Sequence, residues 1–200
     1  MIVEKKVGIF IFDEVEILDF AGPYEVFSST RLNKKLIADI HKTKSPFKVF
    51  TFSEKKKKIT TSGGLCVNSE YTFKTCPKLD IMIIPGGIGT RKLLKNQNVI
   101  NWIMINKKIN ILASVCTGAL LLAQAGLLIE KKATTHWGAF DLLKKISPTT
   151  KPIINKKFIF DTYYTSSGVS AGIDLSLFII KKLYGKTIAQ NTAKYMEYKF

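Results

Sequence analysis

Short, continuously apolar runs alternate with amphipathic stretches along this chain. Lys6–Phe12, Phe47–Phe52, Asp80–Ile84 and Asn110–Val115 are apolar on consecutive positions, the signature of strands buried on both faces. Between them, Ile17–Arg31 carries helical periodicity with Pro23 assigned to its first turn, and Asn98–Ile109 is a second helix with Trp102 turned inward. Thr117–Ala125 is predicted as a helix closed by Gly126, Trp137–Ile146 as another, and Ser170–Leu183 as a long apolar helix ended by Gly185. Lys186–Tyr195 forms a last helix. Shorter strands are expected at Ala133–Thr135, Ile153–Asn155, Phe158–Phe160 and Tyr163–Ser166, with a small hairpin of Ile59–Thr61 and Leu65–Val67 around Gly63 and Gly64. Two-face-buried strands alternating with helices specify an α/β fold, a mostly parallel sheet covered on both sides. The 200 residues fit one domain, 1–200, with no repeat and no low-complexity tract.

Composition narrows the class. The Val7–Phe12 run is too short for a signal-peptide core, and nothing approaches the ~20 apolar residues of a membrane helix. Three scattered cysteines, Cys66, Cys76 and Cys116, argue against a disulfide framework and form no zinc-ligand spacing. The expectation is a cytoplasmic protein with no membrane partner, no metal and no cofactor. The formal net charge of +16 raises the question of nucleic acid. Only Arg31 and Arg91 are arginines, however, and the lysines are spread over the whole chain. Their densest run, Lys55–Lys58, falls in a hairpin turn, and no DNA-binding motif accompanies them, so a solvated basic surface is the reading.

Ligands of such sheets bind at the carboxyl ends of the strands. The most informative end is Ser114-Val115-Cys116-Thr117-Gly118-Ala119, where a buried strand enters an apolar helix with no room for a loop. Cys116 then occupies a tight, strained elbow facing the positive end of a helix, a place that lowers a thiol pKa. Cys66 and Cys76 lack that context and read as structural. Pro85-Gly86-Gly87-Ile88-Gly89 ends the preceding strand, and the N–H groups of Gly87 and Thr117 are candidates to stabilise an anionic intermediate. It lacks the lysine and spacing of a P-loop. Asp19, in Leu18-Asp19-Phe20-Ala21-Gly22-Pro23, is either a helix N-cap or a carboxyl serving as acid and base beside the thiol. Glu16 competes for that role but falls in a loop. His136 next to Trp137 reads as structural by itself, and His41 in a lysine-rich loop reads as irrelevant.

Taken in order, these segments, with Ala133-Thr134-Thr135-His136-Trp137 and Thr165-Ser166-Ser167-Gly168-Val169-Ser170-Ala171-Gly172-Ile173-Asp174, resemble the ThiJ/PfpI superfamily. These are flavodoxin-like relatives of class I glutamine amidotransferases, and the likeness runs nearly end to end. Within it the pattern looks most like the isonitrile hydratase group, which hydrates R–N≡C to an N-substituted formamide without metal or cofactor. The resemblance implies Cys116 as nucleophile, Asp19 as acid-base and Thr117 as polar assistant. It implies a small-molecule substrate whose pocket draws on the neighbourhood of His136, Ile88, Ser167 and Gly168, and a homodimer. Protease-like members place a histidine directly after the cysteine; Thr117 stands there instead, which puts a protease arrangement in doubt. Asp19 also stands where many relatives carry Glu, one methylene longer. The alternatives are another activity of the superfamily, amidase-related or glyoxalase-like, or a non-catalytic ligand- or redox-sensing module. The last would match the sensor-like domains of AraC-type regulators, whose helix-turn-helix module has no room after Phe200.

Overall fold

A computed structural model describes residues 3–33, 43–55 and 58–200. His41 and the middle of the Lys55–Lys58 run lie outside the described residues. The frame is a seven-stranded sheet. In chain order its strands are β1 (Lys5–Phe10), β2 (Phe47–Ser53), β5 (Tyr71–Thr72), β6 (Ile81–Ile84), β7 (Ile111–Ser114), β10 (Phe158–Phe160) and β11 (Tyr164–Ser166). Their spatial order is β10-β11-β7-β6-β1-β2-β5, and every neighbouring pair is parallel except β10 with β11. A hairpin, β3 (Lys58–Thr60) with β4 (Cys66–Asn68), and a parallel pair, β8 (Lys132–Ala133) with β9 (Lys151–Pro152), stand outside it.

Every residue of β6 and β7 is buried, which explains why these strands read as unbroken apolar runs. Each isoleucine so buried contributes about 1.5–3 kcal/mol relative to exposure. The helices are α1 (Ile17–Ser29), α2 (Thr90–Leu93), α3 (Gln97–Ile105), α4 (Gly118–Gln124), α5 (Phe140–Ile146), α6 (Ala171–Tyr184) and α7 (Lys186–Tyr195). α1, α6 and α7 pack on one another, whereas α4 packs on α2, α3 and α5. With right-handed crossovers, chain order puts these two groups on opposite faces. The direction of winding reverses between β1 and β6, so a crevice opens where their carboxyl ends diverge. The start of α1, the Pro85–Gly89 turn and the end of β7 meet at that crevice.

Several expected boundaries move for physical reasons. Pro23 is interior to α1 rather than in its first turn, because Glu16 caps the helix and sets its start. The Ile153–Asn155 strand does not form; the pairing shifts back to Lys151–Pro152, where Ile153 N–H donates to Ala133 C=O at 2.8 Å. Thr134 and Thr135 leave the strand because their polar groups bind elsewhere, and Trp137–Ala139 is one 3₁₀ turn before α5. β5 and the four-residue α2 escaped the periodicity reading because both are too short to show one. Trp102 packs inward as expected, stacked on Phe73 with ring centres 4.5 Å apart.

Candidate active site

Cys116 sits two residues past β7 and two before α4, with φ +56°. That left-handed conformation is costly for a side chain with a Cβ and persists only where neighbours over-determine it. Here they do. Cys116 N–H donates to the carbonyls of Ser166 and Ser167, both at 3.2 Å, and its own carbonyl accepts Thr135 Oγ1 at 2.9 Å. The elbow is therefore tied to the end of β11 and to the segment after β8. Cys116 remains only 5% exposed.

Asp19 comes from the first turn of α1 and is fully buried. It is not the N-cap: Glu16 fills that role, accepting Ile17 N–H at 3.2 Å and Ser62 Oγ at 3.0 Å. Asp19 Oδ2 accepts Gly86 N–H at 2.9 Å, while Oδ1 makes no hydrogen bond of good geometry. The approach requires glycine at 86, since a Cβ there would lie 2.5 Å from both N and Oγ1 of Thr117 and 2.9 Å from Asp19 Oδ2.

Carboxyl and thiol interact directly. Burial pushes the Asp19 carboxyl from an ordinary 3.8 up to about 7, against the pull of Gly86 N–H and the Cys116 thiol, with Glu16 adding repulsion. Burial likewise pushes the Cys116 thiol up to about 12, and the Asp19 charge adds to the rise; the N–H and hydroxyl of Thr117 oppose it. The low thiol pKa expected from the helix end does not hold. α4 is short, the sulfur is desolvated, and an anionic carboxyl stands beside it. The resting pair is a thiol next to a carboxyl that titrates near neutrality.

Thr117 is occupied rather than free. Its Oγ1 accepts Gly87 N–H at 2.9 Å and donates to Gly87 C=O at 3.1 Å, and Thr90 Oγ1 lies 3.3 Å away. Gly87 N–H is thus spent inside the protein and does not face a ligand, which leaves Thr117 N–H as the amide directed at the sulfur. Thr117 ties the elbow to the Gly86–Gly87 turn. Sequence reasoning missed Thr90 and Thr135 as parts of this network; Thr135 lay inside a singled-out segment, but its hydroxyl's target was set only by tertiary folding.

His136, Ser167 and Gly168 line a cleft of about 510 Å³ together with Thr134, Trp137 and Phe140. The imidazole lies against Gly168, and its Nδ1 accepts Gly138 N–H at 3.2 Å. Ile88 is not among the residues lining this cleft and stands exposed. Cys66 is exposed, whereas Cys76 is half-buried with its thiol pushed up to about 11 by burial. Among the described residues, no group of three or more His, Cys, Asp or Glu is placed to hold a metal ion, and no helix is long and apolar enough to cross a membrane.

A strained cysteine elbow facing a buried carboxyl at the switch point of a parallel sheet agrees with a family match over residues 5–182. The chain belongs to the DJ-1/PfpI family. It is 32% identical to an isonitrile hydratase of Pseudomonas putida over 194 residues, covering 96% of this chain and 78% of that protein. A similar solved structure is a ThiJ/PfpI family protein from Pseudomonas syringae, with a TM-score of 0.85 at 25% identity, covering 98% of this chain and 76% of that one. The chain is also similar to the HTH-type transcriptional regulator GbdR of Pseudomonas aeruginosa, 23% identical over 92% of this chain. The chain spans 48% of that regulator's length.

Proposed function

We propose that this protein hydrates isonitriles to N-substituted formamides, with Cys116 as nucleophile and Asp19 as the single proton carrier. The observation that carries the reading is the fully buried Asp19 carboxyl, titrating near 7, against the Cys116 thiol. A carboxyl so tuned can both take and return a proton near neutral pH. Asp19 takes the S–H proton as sulfur bonds to the terminal isonitrile carbon, and delivers it to that same carbon. The product is a thioimidate, R–N=CH–S–Cys116. Water then adds to this carbon, losing a proton to Asp19, while the nitrogen gains one. Cleavage of the carbon–sulfur bond releases the formamide, R–NH–CHO, and the thiol recovers its proton. Thr117 N–H, directed at the sulfur, stabilises the charge that develops there. Thr117 Oγ1 holds the turn that presents Asp19, a more limited part than orienting water.

The test is turnover of a panel of alkyl and aryl isonitriles, followed by formamide appearance, with Cys116→Ser and Cys116→Ala as controls. The parent protein is expected to turn over and both variants to lose activity while keeping the fold. Turnover of methylglyoxal but of no isonitrile would replace this reading with a glyoxalase-like one. A second reading, a ligand-binding module without catalysis, is favoured by the likeness to GbdR. It predicts saturable isonitrile binding without formamide. Peroxide sensing is the weaker form of that reading, because oxidation needs thiolate and the Cys116 pKa is raised.

A further inference from the structure

Asp174 lies on α6 and is only 5% exposed. A buried carboxylate needs partners, and this one has two. Its Oδ1 holds Lys157 Nζ at 2.9 Å, and its Oδ2 accepts the hydroxyl of Tyr198 at 2.9 Å. The Lys157 side chain is mostly exposed, so the ammonium reaches inward to a carboxylate that is otherwise shielded. The Lys157 carbonyl in turn accepts Ser167 N–H at 2.8 Å and Ser167 Oγ at 3.1 Å. The Ser167 carbonyl accepts Cys116 N–H at 3.2 Å. One chain of contacts therefore runs from Asp174 through Lys157 and Ser167 to the residue whose φ is +56°.

We propose that Asp174 and Lys157 are positioning residues that clamp the Ser167 carbonyl onto the Cys116 amide and so hold the elbow in its strained conformation. The inference rests on reading Cys116 as the reacting residue. Its physical basis is that a left-handed non-glycine residue must be held by its surroundings. Ser167 shares that holding with Ser166 and Thr135, and its own place is set by two bonds to one carbonyl of Lys157. Loosening the clamp lets Cys116 relax, which moves the sulfur out of its desolvated seat and away from Asp19.

The experiment follows iodoacetamide modification of Cys116 in the native protein by peptide mass, with exposed Cys66 as the internal reference. It needs no substrate, so it stands whether or not isonitriles are turned over. Lys157→Met and Asp174→Asn are expected to speed modification of Cys116 about tenfold, the effect of lowering its pKa by one unit. Lys157→Arg is expected to restore the parent rate. Tyr198→Phe removes the other bond to the same carboxylate; it is expected to lower Tm and leave Cys116 reactivity unchanged, which separates positioning from general stability. Where the parent turns over isonitriles, Asp174→Asn, which alters no residue lining the cleft, lowers kcat about tenfold to a hundredfold with KM held, as for a misplaced reacting group. Unchanged modification in both Lys157→Met and Asp174→Asn overturns the proposal. So does failure of Lys157→Arg to restore the rate, or an equal effect from Tyr198→Phe.

Discussion

Replacing Asp19 by Asn removes the proton carrier while keeping its shape, and the consequence for stability has a defined sign. The folded pKa, about 7, lies above the ordinary 3.8. The native state therefore binds the Asp19 proton more tightly than the unfolded chain does. Native stability contributed by this group is greatest below the unfolded pKa and is lost as pH rises from about 4 through about 7. The full penalty above pH 7 is about 4 kcal/mol by linkage. An Asn carries no such titration. Its amide retains the acceptor for Gly86 N–H, but brings a buried donor to the position where Oδ1 now has no partner, at a cost of about 1–3 kcal/mol that does not change with pH. The net gain at pH 8 is thus expected to be about 1–3 kcal/mol in favour of Asn. The difference between the two proteins should grow by about 2.5 kcal/mol between pH 5 and pH 8 whatever the amide costs. Urea unfolding of both proteins across that range measures it. Isonitrile turnover by Asp19→Asn should fall by about 10²–10⁴-fold, the usual contribution of a general acid-base. A stability difference that stays flat with pH refutes the buried, perturbed carboxyl and with it the proton-carrier role.

Two further substitutions probe the frame around that pair. Thr117→Val deletes the hydroxyl that accepts Gly87 N–H, while Gly87 C=O keeps the hydroxyl of Thr90 at 2.7 Å. Chemical denaturation should show a loss of about 1–3 kcal/mol for the one orphaned buried N–H, with turnover reduced in parallel; a stable, fully active variant would remove Thr117 from the frame. Gly168→Ala places a Cβ 2.4 Å from His136 Cδ2, so the imidazole must move within the cleft. KM for bulky isonitriles is expected to change more than kcat, and steady-state kinetics showing neither altered would separate the cleft from substrate binding.

The sheet was legible in the sequence because its central strands are buried on both faces. Ile81–Ile84 and Ile111–Ser114 announce themselves as runs without polar positions, and the Cys116 elbow follows from the missing loop between β7 and α4. Cys116 and Asp19 could be brought to one crevice on topology alone. What could not be read were the terms set by tertiary contact. The thiol pKa is not legible in the sequence because a helix N-terminus is a local feature, whereas desolvation and the Asp19 charge come from elements nearly a hundred residues away. The partner of the Gly87 amide is equally hidden, because a glycine turn shows that an N–H is available but not which group accepts it. The role of Asp174 is not legible in the sequence, since its partners lie 17 residues back and 24 further along and no period connects them.

The two raised pKa values are better understood as properties of one pair than as two obstacles. The thiol is pushed up to about 12 by burial first and then by the anionic Asp19 beside it. When Asp19 accepts the thiol proton that repulsion vanishes, and the same burial that disfavoured its charge now stabilises its neutral form. Thiolate is then formed next to a neutral carboxyl and under the N–H of Thr117, at the moment an electrophilic carbon arrives to share its charge. A site that stored thiolate would need solvent or a nearby cation, and the cysteine is almost closed to solvent. The arrangement therefore favours substrates that are small, uncharged and ready to receive a proton on the atom attacked. An isonitrile carbon meets all three conditions, since the proton that leaves the sulfur ends on the carbon the sulfur attacks.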